Sequence, residues 1–211
     1  MNYLDPKILM KVNLEVKRVA DNIGDNNVLI HTDIKHLFLF EFNSKTDLLE
    51  KHFRNINEIF FNYNIWMPTF NYDFTKTGVY NLEKDKSQVG VLNDYFRSVC
   101  DWRTTTPVFN FCGNGKYPIN KIHSNETIDP FSHGSEFHYL YETNSLHCHY
   151  GSNFSHSTLI HYVEKISKNL LYRYSKIFNG IIKTGEINTE VVLDYHVTPL
   201  NPRVNYDWGK I

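Results

Sequence analysis

Residues 22–34 read "NIGDNNVLIHTDI", and the fold turns on how the middle of that stretch is read. Gly24 and the Asp25–Asn27 cluster are a turn signal, and Val28 to Ile30 form a short apolar run. A run that short, bounded by turn residues, predicts a buried strand. Upstream, Lys7 to Ala20 reads as a weakly amphipathic helix. Downstream, Leu48, Leu49, Phe53, Ile56 and Ile59 recur at helical spacing, predicting a helix over 47–60 with Thr46 or Asp47 as N-cap. "NIWMPTFNYDF" (64–74) predicts a strand closed by Pro68, "DYFRSVCDW" (94–102) a short helix, and "PVFNFCGNG" (107–115) a strand ending at glycines. Residues 116–140 are irregular and rich in turn formers. Beyond them come a strand over Leu146–Tyr150, a helix within "HSTLIHYVEK" (156–165), and strand material over 170–197 with Gly180 and "KTGE" as turns. With no internal repeat and no low-complexity linker, this order predicts a single domain over 1–211. Its class is an α/β sandwich, with helices packed on a mixed central sheet.

Composition narrows the function. Apolar residues at 41% and charged residues at 21% define a globular chain rather than a disordered one. A net charge of −1, from 22 basic and 23 acidic residues without a single-sign block, argues against a polyanion binder. Three cysteines without a CxxC argue against a disulfide framework and for a reducing, cytoplasmic setting. The charged N-terminus lacks a signal-peptide core, and no apolar run approaches the roughly 20 residues needed to cross a bilayer.

Within "HSTLIHYVEK", His161 and Glu164 are three residues apart and share one helix face. Leu159, Val163, Ile166 and Leu170 form the apolar stripe, with His161 nearly opposite. The pair is either a solvated ion pair on a wet face, or a general base whose tautomer is fixed by a carboxylate. "GSNFSHST" (151–158) adds capping oxygens and first-turn amides that can hold an anion or a developing oxyanion. His31, Thr32 and Asp33 stand just past the first strand, where α/β sheets commonly place ligands, or where such residues cap the next element. Thr69 ends another strand. The histidines of "HCHYGSNFSH" (147–156) raise a zinc hypothesis, but neither HExxH nor paired CxxC is present, so no metal is expected. No cysteine has an activating context, and there is no GxGxxG or Walker loop.

Five segments in order, "DNNVLIHTDIKHL", "WMPTFNYDF", "WRTTTPVFNFCGNG", "DPFSHGSEFHYLYE" and "STLIHYVEK", resemble the aminoglycoside 3-N-acetyltransferase (antibiotic N-acetyltransferase) family. The resemblance implies that family's own α/β fold and transfer of an acetyl group from acetyl-CoA to an amine of an aminoglycoside or other amino sugar. Thr158, His161 and Glu164 fall on the family's Thr-x-x-His-x-x-Glu motif, which implies His161 as general base with direct attack by the amine. The matched segments imply CoA contacts at His31, Thr32, Asp33, Thr69 and Arg103 through Asn110, including Phe109. Lys35 and Arg103 are the expected phosphate partners.

The chain also departs from the pattern. His-Ser-Ser becomes His31-Thr32-Asp33, adding a negative charge near a polyanionic donor, and Thr106 and Asn110 stand where the family has His and Ser. The family's chains run longer, so this one is expected to be a short variant or to lack a C-terminal segment. The expected partner is a small-molecule amine, with neither nucleic acid nor membrane, and a homodimer is an assembly to test. The rival reading is a binding protein of the same fold that has lost catalysis.

Overall fold

The computed structural model describes residues 3–23, 26–117, 127–167 and 173–199. Val28, Leu29 and Ile30 are completely buried, and the topology supplies the reason. They lie in β1 (Asn27–Thr32), which is flanked by a parallel strand on each side, β2 (Asn64–Pro68) and β7 (Leu146–Tyr150). A strand inside a sheet covered on both faces reads as an unbroken apolar run.

Beyond β2 the sheet continues through β5 (Phe111–Asn114) and β4 (Trp102–Arg103), both antiparallel to their neighbours, giving the order β4-β5-β2-β1-β7. One face packs on helices. Val28, Ile30, Ile65 and Met67 meet residues of α1 (Pro6–Ile23), α2 (Lys45–Ile59) and α4 (Val91–Val99), among them Ala20, Leu49, Ile56, Ile59, Leu92 and Phe96.

The opposite face carries Leu29 and Trp66 into a second core shared with another sheet. That sheet has the order β3-β8-β9-β6, built on the long hairpin of β8 (Tyr174–Thr184) and β9 (Ile187–Val197). Its edges are β3 (Val79–Asn81) and β6 (Thr127–Ile128). Interlocked rings fill the space between the sheets: Phe109 on Phe131 at 4.8 Å, Phe131 on Phe137 at 4.9 Å, and Phe111 on Phe137 at 5.1 Å. The aromatic richness of the chain is thereby used in packing. Two further helices, α5 (Glu136–Glu142) and α6 (Leu159–Ile166), contribute Phe137, Leu140 and Tyr162 to this layer.

The expected α/β class holds, with the strands divided between two mixed sheets rather than gathered into one. Four local expectations change. The N-cap of α2 is Ser44, not Thr46 or Asp47; its extended backbone lets the hydroxyl accept from the Asp47 amide, while the Asp47 carboxylate accepts from the Asn43 amide at 2.9 Å. The strand expected from Pro107 begins only at Phe111. Val108 has φ 66°, and the Phe109 amide donates to the Pro107 carbonyl at 2.8 Å, a γ-turn of the rare left-handed kind. Gly180 is no turn but an interior residue of β8, needed because a side chain there would lie 2.2 Å from the Gly78 carbonyl oxygen. The other expected turn, "KTGE", holds, with Gly185 at φ 57°. α5 rises from the stretch read as irregular, nucleated by Ser135, whose hydroxyl accepts from the His138 amide. Leu170, placed in the apolar stripe of α6, and residues 118–126 lie outside the described residues. Among the described residues no helix is long and apolar enough to cross a membrane.

Candidate active site

The carboxyl ends of β1, β2 and β7 open on one side of the sheet, the usual ligand position in α/β folds. After β7 the chain folds back over the end of β1. Gly151, at φ 74°, makes this crossing; a Cβ there would meet the Asp33 carbonyl oxygen at 2.2 Å. The Ser152 hydroxyl then donates to the His31 carbonyl at 3.0 Å. A 3-10 turn (Phe154–His156) leads through Ser157 and Thr158 into α6.

Between this entry and the strand ends lies a cleft of about 250 Å³. His31 and Thr32 come from β1, and Thr158 and His161 from the start of α6. Phe70, Tyr72 and Asn93 complete the walls that face them. Four of the residues singled out in the sequence therefore share one cavity. The Thr32 hydroxyl donates to Asn93 Oδ1 at 2.5 Å, and Asn93 Nδ2 to the Pro68 carbonyl at 2.7 Å, pinning α4 to both strand ends.

His161 Nδ1 is 3.0 Å from Glu164 Oε2. The expected burial of α6 holds for Leu159, which packs against the core, but not for the rest of the stripe. Val163 and Ile166 are more than 40% exposed, while Tyr162 and Glu164 are buried. The Glu164 side chain is only 7% exposed, so the wet-face reading of the pair does not stand. A carboxylate goes inside because Arg173 meets it there: Arg173 Nε lies 2.9 Å from Glu164 Oε2, and its Nη2 lies 3.0 Å from His161 Nδ1. The Phe131 ring stands edge-on to the imidazole at 6.0 Å. Asp129, two residues earlier, accepts from the Phe131 amide and pairs with Lys165. This buttresses the ring from the second sheet's side.

His31 is buried beside its neighbours. It stacks on His149 at 5.3 Å, directly opposite in the β1–β7 register. Burial first, then the nearby His149, His147 and His156, push its imidazole down to about 3, so it is neutral across the physiological range. Its Nε2 and the Thr158 hydroxyl are both buried without a hydrogen-bond partner among the described residues. No group of three or more His, Cys, Asp or Glu among the described residues is arranged to hold a metal ion. None of the three cysteines lines the cleft, and burial pushes Cys148 up to about 11.

The other predicted site residues lie apart from the cleft. Thr69 and Asn110 are completely buried and bonded to each other, Thr69 Oγ1 donating to Asn110 Oδ1 at 2.8 Å. Arg103 donates to that same oxygen and to the carbonyls of Leu82 at 2.6 Å and Asp85 at 2.9 Å. Phe109 belongs to the aromatic core. Asp33 and Lys35 are exposed, and the Asp33 carboxylate accepts from the Lys35 amide at 3.0 Å. Sequence reasoning missed Arg173, Asn93 and Tyr72. Tyr72 lies in "WMPTFNYDF" without a site signature of its own, and Asn93 and Arg173 lie in no matched segment. Folding brings Tyr72 and Asn93 to the cleft and Arg173 to His161 and Glu164.

The family described as aminoglycoside 3-N-acetyltransferase matches residues 55–201, well over half of the chain. No curated protein matches. Among solved structures, the YokD protein from Bacillus subtilis is 16% identical with a TM-score of 0.66, covering 90% of this chain and 81% of that one. AAC-IIIb, solved as a binary complex with CoASH, is 11% identical with a TM-score of 0.66, over 88% of this chain and 76% of that one. The aminoglycoside acetyltransferase AAC(3)-Xa is 12% identical with a TM-score of 0.64, over 90% of this chain and 76% of that one. At these identities the solved structures speak to the fold.

Proposed function

The chain belongs to the aminoglycoside 3-N-acetyltransferase family, and from that premise we propose that it acetylates an amine of an aminoglycoside or related amino sugar by direct attack, with His161 as general base. It is a CoA-dependent N-acetyltransferase by family, with acetyl-CoA as the acyl donor. The observation that carries the mechanistic reading is the buried Glu164 carboxylate 3.0 Å from His161 Nδ1, with the ring lining the cleft.

An ammonium has no lone pair with which to attack a thioester. Something has to take its proton, and an imidazole whose Nδ1–H is held by a carboxylate offers Nε2 for that task. The amine nitrogen forms a bond to the thioester carbon, the carbon–sulfur bond breaks, and the proton passes from His161 to the departing thiolate. The oxyanion formed on the way needs donors. The Thr158 hydroxyl, at the positive end of α6 and without a partner among the described residues, is the one we assign. For the acyl donor, His31 and Thr32 line the cleft, and Lys35 is an exposed cation beside the same strand end. Thr69, Phe109, Asn110 and Arg103 take a supporting role: Phe109 is core, and the polar groups of the other three are already bonded within the protein. Asp33 serves the turn just past β1.

The test is thiol release from acetyl-CoA across a panel of aminoglycosides and amino sugars. His161→Ala is expected to lower turnover by roughly 10²–10⁴-fold while calorimetry still detects acetyl-CoA binding. Undiminished turnover in that variant removes His161 as base. Wild-type protein that gives no heat with acetyl-CoA removes the enzyme reading and leaves a binding protein of the same fold.

A further inference from the structure

Arg173 stands immediately before β8, twelve residues beyond His161 and outside the motif that carries His161 and Glu164. Its side chain is 9% exposed, and its Nη1 lies 3.5 Å from the His196 carbonyl oxygen of β9. Nε and Nη2 reach Glu164 Oε2 and His161 Nδ1 respectively. His161 Nδ1 therefore has an acceptor-only carboxylate and a donor-only guanidinium each at 3.0 Å. A ring nitrogen carries either a proton or a lone pair, so it satisfies one neighbour at a time. When Nδ1 carries the proton and gives it to Glu164, Nε2 has the lone pair and the ring can accept an amine proton. When Nδ1 accepts from Arg173, Nε2 carries the proton and the ring cannot act as a base.

The charges lead to the same residue. A buried carboxylate against an imidazole, with nothing to offset it, favours the imidazolium, which is a spent base. A cation against the same pair cancels that preference and still leaves the carboxylate ionised, so that it can orient the ring. The other described groups around the imidazole do not supply such a cation. Lys165, on the same helix, is paired with Asp129. His196 on β9 is pushed below the usual imidazole range by burial, then by Lys165 and Arg173. Across the cleft His31 is neutral, and His156 Nδ1 donates within its own turn to Asn153 Oδ1.

We propose that Arg173 is a positioning residue of the reaction, holding Glu164 in place as a carboxylate and keeping the His161 imidazole neutral and ready to take a proton. This rests on His161 being the base. An ordinary structural ion pair makes the same contacts but has no consequence for the proton on His161, and that difference is measurable.

The experiment is a titration of the His161 ring followed by its 15N shifts, alongside the pH profile of kcat/KM for acetyl transfer. Arg173→Gln is expected to move both the ring titration and the acid limb of the profile to higher pH by about one unit or more, with KM for acetyl-CoA unchanged. Activity near neutral pH is expected to fall accordingly and to recover as the pH is raised. Arg173→Lys keeps the charge and is expected to titrate close to wild type. The double variant Arg173→Gln with Glu164→Gln removes both buried charges, avoids an unpaired ion if the single variant folds poorly, and is expected to return the ring titration towards its wild-type position. A titration and an acid limb unmoved in Arg173→Gln overturn the proposal, even where activity falls. So does a double variant that titrates away from wild type to higher pH. Failure of the base reading has a separate signature: His161→Gln would retain turnover, whatever the ring titrations show.

Discussion

Thr158 has the geometry of a residue kept for a ligand. Its hydroxyl is buried, makes no cap bond to α6 and has no partner among the described residues, an arrangement that costs about 1–3 kcal/mol in a group that only packs. Thr158→Val keeps the shape and deletes the hydroxyl. It is expected to leave the unfolding midpoint unchanged or raise it, while lowering kcat by about 10²-fold if the hydroxyl meets the oxyanion. Parallel thermal unfolding and turnover measurements check this, and a variant that loses stability at full kcat would show Thr158 to be structural. At this scale the motif residues are legible because Thr158, His161 and Glu164 keep a local spacing. Arg103 reads as a phosphate partner because its sequence shows a cation in a polar loop, whereas the bonds that occupy it come from residues 82, 85 and 110. Arg173 leaves no sequence signal at all, since its meaning lies in contacts across twelve residues of chain.

At the scale of elements, periodicity identifies α6 but places its inner face correctly only at Leu159. Apolar count favours Leu159, Val163 and Ile166 as the inner stripe, yet a salt-bridged carboxylate and a tyrosine are inside, and Val163 and Ile166 face out. Hydrophobicity scales have no means of anticipating a guanidinium supplied by another element. Gly180 is the parallel case in a strand. Expected as a turn, it is a close-approach point between β8 and the corner after α3 (Phe74–Thr77), where the Gly78 carbonyl and the Phe74 ring fill the space a Cβ would need. Gly180→Ala is expected to destabilise the fold by about 1–3 kcal/mol through overpacking. Gly185→Asn, at a left-handed turn position with nothing within 4 Å of a Cβ, is expected to be nearly neutral. Urea unfolding of the two variants side by side decides it; equal stability would mean the hairpin shifts freely against α3.

The whole molecule is legible in its central strand and illegible in its layering. A continuous apolar run at Val28–Ile30 announces burial, but nothing local separates strands of one sheet from those of another, and the pairing of β3 with β8 spans about a hundred residues. That layering has a thermodynamic consequence, because it buries His31 and His52 and half-buries His147. His31 on β1 is pushed down to about 3, and His52 on α2 and His147 on β7 to about 4, in each case chiefly by burial. In the unfolded chain the same imidazoles titrate near 6.5. Between these values the unfolded state binds protons that the folded state refuses, so stability falls as the pH drops from about 6.5 towards 4 and is fully retained above that window. These three imidazoles alone bring the slope close to three protons near pH 5, before the carboxylates begin to contribute, and His149 and His196, also pushed down by burial, add to it. Asp47 and Asp94, held below their usual range, add to the loss only at still lower pH. His147 does not line the cleft, so His147→Phe isolates one of the three: its unfolding free energy, measured in urea at pH 7, 6 and 5, is expected to decline less steeply than wild type by one proton's worth. A wild-type stability that is flat from pH 7 to 5 would mean that these imidazoles reach water in the native state, and that the sheets do not close over them as described.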